Sequence, residues 1–415
     1  MHPTTSTMEA PLFNSFAAEL IDDPYPHYER LRAAEPVYWE PVLQTWVLSR
    51  YDDVRGVLED PTFEAVPLTD MIAEFARRMN KDYGPFLKIL DAILFFQSGE
   101  IHKRNRRALT QVLTRIPLSA LEPHIKELAK ELAGGLSQRT EFDAALDYAD
   151  LVPSRVMIHV LGLPSSDLTL LLDLSAEFTR TFDTIPTSLY DRFNGKAIAA
   201  LDHLSHRIRL AIKKGRNTGL TLLCSETSSA GETGLMEAAA LAFFIFAVGT
   251  ETTAALIAAC IDRLLRHPDV YEKARQTPAV AAKIVSEVVR LEGPVQRVAR
   301  LAPRDVVIGD QHIKRGSRLM LLIGAANRDP QQFARAAELD LNRAPNPDVG
   351  FGAGSHFCLG TSLARMEARI AVEEFLRLPP FEIRGAIKRY QNRSIRKITN
   401  LPLRVITSSS KAHAF

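Results

Sequence analysis

Between Leu235 and Arg266 the chain carries helix-forming residues almost without interruption, and the run stops at His267-Pro268. At 1.5 Å per residue this predicts a single helix about 48 Å long. Most of its faces are apolar, so it must be buried on nearly all sides. A helix of that length is covered only if the rest of the chain wraps around it. In its middle stands Val248-Gly249-Thr250-Glu251-Thr252-Thr253. A glycine costs about 1 kcal/mol inside a helix, and a buried carboxyl costs more unless it is partnered. A rule broken at the centre of a well-built element marks a candidate functional site. The plainer alternative is a solvated kink between two helices.

The longest unbroken apolar run, Ala238 to Val248, is shorter than the roughly 20 residues a membrane span needs. The N-terminus, MHPTTSTMEAPLFNSF, lacks a basic region followed by an apolar one, so no signal peptide is expected. The 51 Lys and Arg against 49 Asp and Glu leave a net charge of +2, which gives no argument for a nucleic-acid partner. The three cysteines, Cys224, Cys260 and Cys358, are far apart and odd in number. They exclude a disulfide framework and fit a reducing compartment. The expectation is a cytoplasmic protein with no membrane partner.

Around the long helix, a turn at Asp23-Pro24-Tyr25-Pro26 precedes a helical pattern over His27 to Ala34. Short strands are predicted at Val37 to Trp39 and Trp46 to Ser49. Helical patterns dominate from Ile101 to Arg290, as in His124 to Ala133 and Leu201 to Lys214. Short β segments follow at Val306 to Ile308 and Leu319 to Ile323, then a helix over Gly360 to Leu376 and β-like pieces ending at Ile406. The predicted fold class is mainly α with a minor β region. Residues 1–415 are predicted to form one domain, with a helix-rich core over about 101–290 and β-rich parts at about 35–50 and 300–325.

The sharpest local signal is Phe351-Gly352-Ala353-Gly354-Ser355-His356-Phe357-Cys358-Leu359-Gly360, running straight into the helix that follows. A thiolate at a helix start is stabilised by free N–H groups and the helix dipole. Glycines let the backbone turn tightly and bring N–H groups up to the sulfur. One cysteine cannot hold zinc or an iron–sulfur cluster, but it can be the single axial ligand of a haem. Cys224 and Cys260 read as small buried hydrophobes.

Phe-Gly-x-Gly-x-His-x-Cys-x-Gly resembles the haem-binding loop of the cytochrome P-450 superfamily, and the resemblance extends from about Asp23 to Ile406. It implies the cytochrome P-450 fold, with haem b between the long central helix and the helix after the cysteine loop. By resemblance, Cys358 is the metal ligand, and Phe351, Gly352 and Gly360 shape its loop. Glu287-Val288-Val289-Arg290 is similar to the family's Glu-x-x-Arg pair, which locks a helix to the chain before the cysteine. Asn327-Arg328-Asp329-Pro330 and Phe333 resemble the segment after it.

The resemblance assigns the haem propionates to His102, Arg106, His356 and one arginine of a β segment. Of two candidates, Arg300 fits the family's Arg-x-Ala pattern with Asp305-Val306. Arg297 then lies beside the substrate, and an outward salt bridge is expected of it rather than contact with an anionic substrate. Glu251 and Thr252 match the acid–alcohol pair that directs protons to dioxygen, and Gly249 the residue that leaves it room. Val248 stands where Ala or Gly is usual, and Ser98-Gly99-Glu100-Ile101-His102 replaces the usual Pro-Pro-x-His. With Phe63-Glu64-Ala65-Val66, this last feature is similar to bacterial aromatic O-demethylases of the family.

The implied activity is a monooxygenase that uses O2 to hydroxylate or O-dealkylate a small apolar or aromatic substrate. The haem domain accounts for the whole length, so electrons are expected from a separate iron–sulfur ferredoxin and its NAD(P)H reductase. Arg107, Arg365 and Arg369 are expected to supply its basic docking face. The rival readings are a peroxygenase or isomerase-type enzyme, against which Glu251-Thr252 argues, and a non-catalytic haem sensor. The variable segments Pro67 to Gln97, Leu168 to Phe193 and Ile398 to Leu401 are predicted to line the pocket. Phe95, Phe182, Val248, Val295, Val298 and Thr399 are its named candidates. Phe86, Ile89, Leu90, Leu94 and Phe178 could equally be core.

Overall fold

The computed structural model describes residues 12–183, 186–227 and 231–406. Helices dominate, among them α1 (Gly99–Thr114), α2 (Leu151–Leu161), α3 (Tyr190–Lys213), α4 (Gly231–Leu265), α5 (Ala281–Glu292) and α6 (Thr361–Leu376). The central helix α4 is uninterrupted, so no kink divides it. It is long and apolar enough to cross a membrane, yet 83% of its most apolar stretch is buried inside the protein. Helices α2, α3, α5 and α6 all pack on it.

Two apolar clusters explain where the site falls. Leu235 and Ala238 to Ala247 feed one cluster, and Leu256 to Ile261 with Leu264 feed another. Gly249 to Thr253 lie between them, where neither core claims the helix surface. Thr250, Glu251 and Thr253 are still buried, so the polar residues interrupt the helix's apolar packing without interrupting its hydrogen bonds.

While Val306–Ile308 pairs with Gln311–Ile313 in a separate hairpin, the β segments near residues 40, 300 and 320 form one sheet. Its strands are β1 (Val37–Glu40), β2 (Thr45–Leu48), β3 (Arg297–Leu301) and β4 (Arg318–Leu322), in the order β1-β2-β4-β3. Strand β2 runs parallel to β4, with Trp46 opposite Leu319, and β3 runs antiparallel to it, with Arg300 also opposite Leu319. This carries Arg297 and Arg300 on one strand.

Helix α5 is tied to the chain leading into the cysteine loop through Arg290, which is fully buried. Its guanidinium donates to both oxygens of Glu287 and to the carbonyls of Asn327, Ala336 and Glu338. Arg343, which the pattern Glu-x-x-Arg does not contain, joins from the far side at 3.0 Å from Glu287 Oε1. Asn327 Oδ1 in turn accepts the N–H of Val349 at 2.8 Å. The structural pair is thus a triad that fixes the approach to Cys358.

Candidate functional site

The cysteine loop turns through Gly352 and Gly354, both with positive φ, +75° and +63°. A Cβ on Gly354 would also lie 2.4 Å from the Leu58 carbonyl oxygen, so only glycine fits there. The loop closes with Cys358 N–H donating to the Phe351 carbonyl at 2.9 Å. Burial pushes the Cys358 thiol up, while the N–H groups of Gly360 and Thr361, the Thr361 hydroxyl and Arg106 favour its thiolate. Cys358 opens on a cavity of about 610 Å³ that has Val248, Gly249, Thr252 and Thr253 of α4 on another wall. By contrast Cys260 is fully buried in α4, and burial raises its thiol strongly.

Four basic side chains converge beside the loop without an acid among them. The rings of His102 and His356 lie with centroids 4.3 Å apart, tilted by 34°. His102 Nε2 is buried with no hydrogen-bond partner among the described residues. Among the described residues Arg106 donates only to the Phe357 carbonyl, and Arg300 only to that of Ala299. Burial pulls Arg300 down to about 10, and burial with Arg300, His102 and Arg106 pushes His356 down to about 3. Cations crowded at this density need anions. Two propionates satisfy that need, and the lone thiolate with free space before it satisfies an axial iron position. The residues present therefore fit haem b.

The start of α1 takes its own route. Gly99 adopts φ +65° and the Ser98 hydroxyl accepts the N–H of Ala65 at 2.8 Å, so the Phe63 to Val66 segment is pinned to the helix that carries His102 and Arg106.

On the central helix, Thr252 Oγ1 donates to the Val248 carbonyl at 2.7 Å. This is the back-bond that helical threonines commonly make. Gly249 borders the cavity, but the space beside its Cα is taken first by Met157, whose Sδ would be 3.0 Å from an added Cβ. Glu251 is buried and pairs with Lys397 at 2.8 Å, and Lys397 pairs with Asp150 at 2.9 Å. Burial opposes the Lys397 charge, yet Glu251 and Asp150 together hold its ammonium above the ordinary value. Sequence reasoning missed Lys397 and Asp150, and also Glu367. That carboxyl lines the cavity from α6, has one oxygen without a partner among the described residues, and is pushed well above the ordinary carboxylate range by burial.

Phe95, Phe182, Val248, Val295 and Val298 line the cavity, together with Leu94, Phe244 and Ile245. Thr399 does not. It sits in the strand Ile398–Asn400, where its hydroxyl donates to the Lys388 carbonyl, and the cavity is reached instead by Ser394 and Ile395. Phe86, Ile89, Leu90 and Phe178 belong to the core, and the first three are almost fully buried. Arg297 forms its ion pair inward, with Asp183, both side chains being less than 10% exposed. Arg369 is held between Glu122 and Glu373, and Arg365 by Asp348, so these two add little free positive charge to the face around the cysteine loop.

Residues 279–402 match the family model described as Cytochrome P450. The chain is 30% identical to "Cytochrome p450 CYP199A2" of Rhodopseudomonas palustris, over 94% of this chain and 93% of that one. It is 31% identical to a beta-dihydromenaquinone-9 omega-hydroxylase of Mycobacterium tuberculosis, over 88% of this chain and 72% of that one. The crystal structure of P450BioI with a hexadec-9Z-enoic acid-ligated acyl carrier protein is similar at 27% identity. Its TM-score is 0.85, over 94% of this chain and 99% of that one. Agreement that covers from 72% to 99% of these relatives, on a thiolate loop and a propionate cradle that fit haem b, makes this chain a member of the cytochrome P450 family, an oxygen-inserting monooxygenase.

Proposed function

We propose that this enzyme hydroxylates or O-dealkylates a neutral apolar or aromatic substrate, as one haem domain in the cytoplasm, with electrons from a separate ferredoxin and its NAD(P)H reductase. The observation that carries the substrate class is the cavity wall. Phe95 packs edge-on against Phe182 with centroids 4.9 Å apart, and Phe244 lies 6.3 Å from Phe95. Such a wall favours an aromatic ring or an alkyl chain. Of the arginines that line the cavity, Arg106 and Arg300 belong to the propionate cradle and Arg297 is already held by Asp183, which argues for a substrate without a carboxylate. The omega-hydroxylase relative supports hydroxylation as the reaction type.

Haem, when bound, supplies the activation of O2. The chain's own residues then divide the work. Gly360 and Thr361 donate to the Cys358 sulfur, and His102, Arg106, Arg300 and His356 hold the propionates. Val248 narrows the space above the cysteine, and Thr252 with Glu251 handles protons.

The ferrous–CO difference spectrum of purified protein should show a thiolate-ligated haem, unchanged in Cys224→Ala and Cys260→Ala. A Soret band typical of histidine ligation in undamaged protein would remove Cys358 as the ligand. Neutral aromatic ethers should then produce a larger low-spin to high-spin shift than their carboxylate analogues. Tighter binding of the carboxylates would overturn the substrate class.

With Arg365 and Arg369 paired, exposed Arg107 on α1 is the docking charge to test. Arg107→Glu should slow reduction by a ferredoxin about tenfold at low salt, because rim charges act on association. The difference should vanish by roughly 1 M salt, where the Debye length is about 3 Å. Equal rates for both proteins at every ionic strength would show that docking does not use this face.

A further inference from the structure

A second cleft shares no lining residue with the haem cavity. It lies where the helix Tyr25–Ala34 meets the C-terminal end of α4, and its volume is about 540 Å³. That is within the range of small-ligand sites. Arg263, Arg266, Arg328, Arg389 and Arg396 all line it.

Two carboxylates serve these five guanidinium groups. Glu292 is shared by Arg263 at 2.6 Å and by Arg328 and Arg396 at 2.9 Å. Asp262 takes Arg266 at 2.7 Å, and Arg389 stands 4.0 Å from it, beyond hydrogen-bond reach. Arg266 is itself exposed, so the buried floor, Arg263, Arg328, Arg389 and Arg396 over Glu292 and Asp262, carries two positive charges in excess. Burial and the neighbouring Arg396 lower the pKa of Arg389, whose side chain is only 13% exposed. Tyr25 Oη and Arg263 Nε are also buried without a hydrogen-bond partner among the described residues. Buried donors of this kind call for an acceptor. The Tyr25 ring lies 3.4 Å under the Arg328 guanidinium and 5.2 Å from that of Arg396, which fixes their planes by stacking.

Asp22, Asp23 and Glu29 also border the cleft, but all three are exposed at its rim. Asp23 is used locally, accepting the N–H of Tyr25. Charges at the rim are screened by solvent and salt, while those on the floor are much less so.

We infer that this cleft is a binding site for a phosphate-type oxyanion, taken by the arginines of its floor and by the Tyr25 hydroxyl. Guanidinium forks match phosphate oxygens two at a time. Two uncompensated buried charges suit a doubly charged anion better than a single carboxylate. The inference is independent of the reading of the haem cavity.

Haem-loaded, full-length protein is titrated calorimetrically with inorganic phosphate, pyrophosphate and ADP at constant ionic strength. Saturable binding is expected, with pyrophosphate tighter than phosphate. ADP binding as well as pyrophosphate would assign the site to a phosphate ester, and weaker ADP binding would assign it to the bare anion. Arg389→Gln should weaken pyrophosphate about tenfold, the size of one charge-assisted contact. Tyr25→Phe should weaken it about threefold, as a single neutral donor would. Neither should change the CO spectrum. If Arg389→Gln does not fold, Arg266→Gln, at a side chain 46% exposed, reads the same loss. Absence of saturable binding by any of the three probes overturns the site, as does binding that both Arg389→Gln and Tyr25→Phe leave untouched.

Discussion

Replacing Arg290 by leucine should cost about 3–5 kcal/mol of stability, the cost of breaking a buried ion pair from one side, and should leave a protein that retains haem poorly. The side chain is fully buried and spends all its donors. It gives two to Glu287, at 2.6 and 3.0 Å, and three to the carbonyls of Asn327, Ala336 and Glu338, at 2.7 to 3.0 Å. Leucine would strand those three carbonyls. Glu287 would keep Arg343, the backbone N–H of Asp340 and the side chain of Asn346, so its own charge would remain partly compensated. The damage therefore falls on the meander between Asn327 and Arg343. Asn327 passes it on, because its side chain holds the N–H of Val349 just before the cysteine loop. Arg290→Lys should rescue little, since one ammonium cannot reach four acceptors in a planar fork. Thermal denaturation and the Soret-to-protein absorbance ratio measure the two effects. A leucine variant that melts with the wild type and binds haem fully would show that the triad only decorates the fold.

What the sequence revealed follows the range of each interaction. The central helix was legible almost to its ends, because helix propensity and apolarity are local, and His267-Pro268 stops it within two residues of the observed end at Leu265. The cysteine loop was legible for the same reason. Its glycines answer to positive φ values and contacts within ten residues, with Leu58 and Glu59, both against Gly354, the remote contacts. Pairing across the chain was not legible. Nothing near Thr45–Leu48 says that its neighbour is Arg318–Leu322, and the pattern of β3 does not say that Arg297 faces Asp183. Charges on α6 look free in sequence, but Asp348 and Glu122 take them in space. Aromatic residues show the same spacing in core and in cavity, so Phe86 and Phe95 could not be told apart. Thr399 was misplaced because the strand Ile398–Asn400 pairs with Lys388–Arg389 and turns that hydroxyl to Lys388.

Lys397 is the residue whose role was least legible and whose substitution should matter most for turnover. Its ammonium lies between Glu251 and Asp150, all three from distant parts of the chain. Glu251 is 5% exposed and is absent from the cavity wall, whereas its neighbour Thr252 is on that wall. Asp150, with 18% of its side chain exposed, is the member nearest solvent. We propose that Asp150, Lys397 and Glu251 hand protons inward from solvent, toward the cavity wall on which Thr252 stands one residue along the helix. Glu251→Gln keeps the shape and removes the acid. It should lower the turnover rate by about 10²-fold, the usual worth of a positioned proton donor, and raise the solvent isotope effect, while the substrate-induced spin shift stays intact. Thr252→Ala removes the last hydroxyl, so NAD(P)H consumption should continue while product falls and peroxide rises. Lys397→Met leaves two buried carboxylates facing each other. It should cost about 3–5 kcal/mol and disturb proton delivery as well. A purely structural cluster predicts otherwise: Lys397→Met would lose stability alone, and Glu251→Gln would turn over at the wild-type rate with an unchanged isotope effect. Thr252→Ala would likewise keep its product per NAD(P)H if the hydroxyl never leaves the Val248 carbonyl. Measuring melting temperature, peroxide and product on the three variants separates a relay from a brace, because only a relay couples Glu251 to the yield without touching the spin shift.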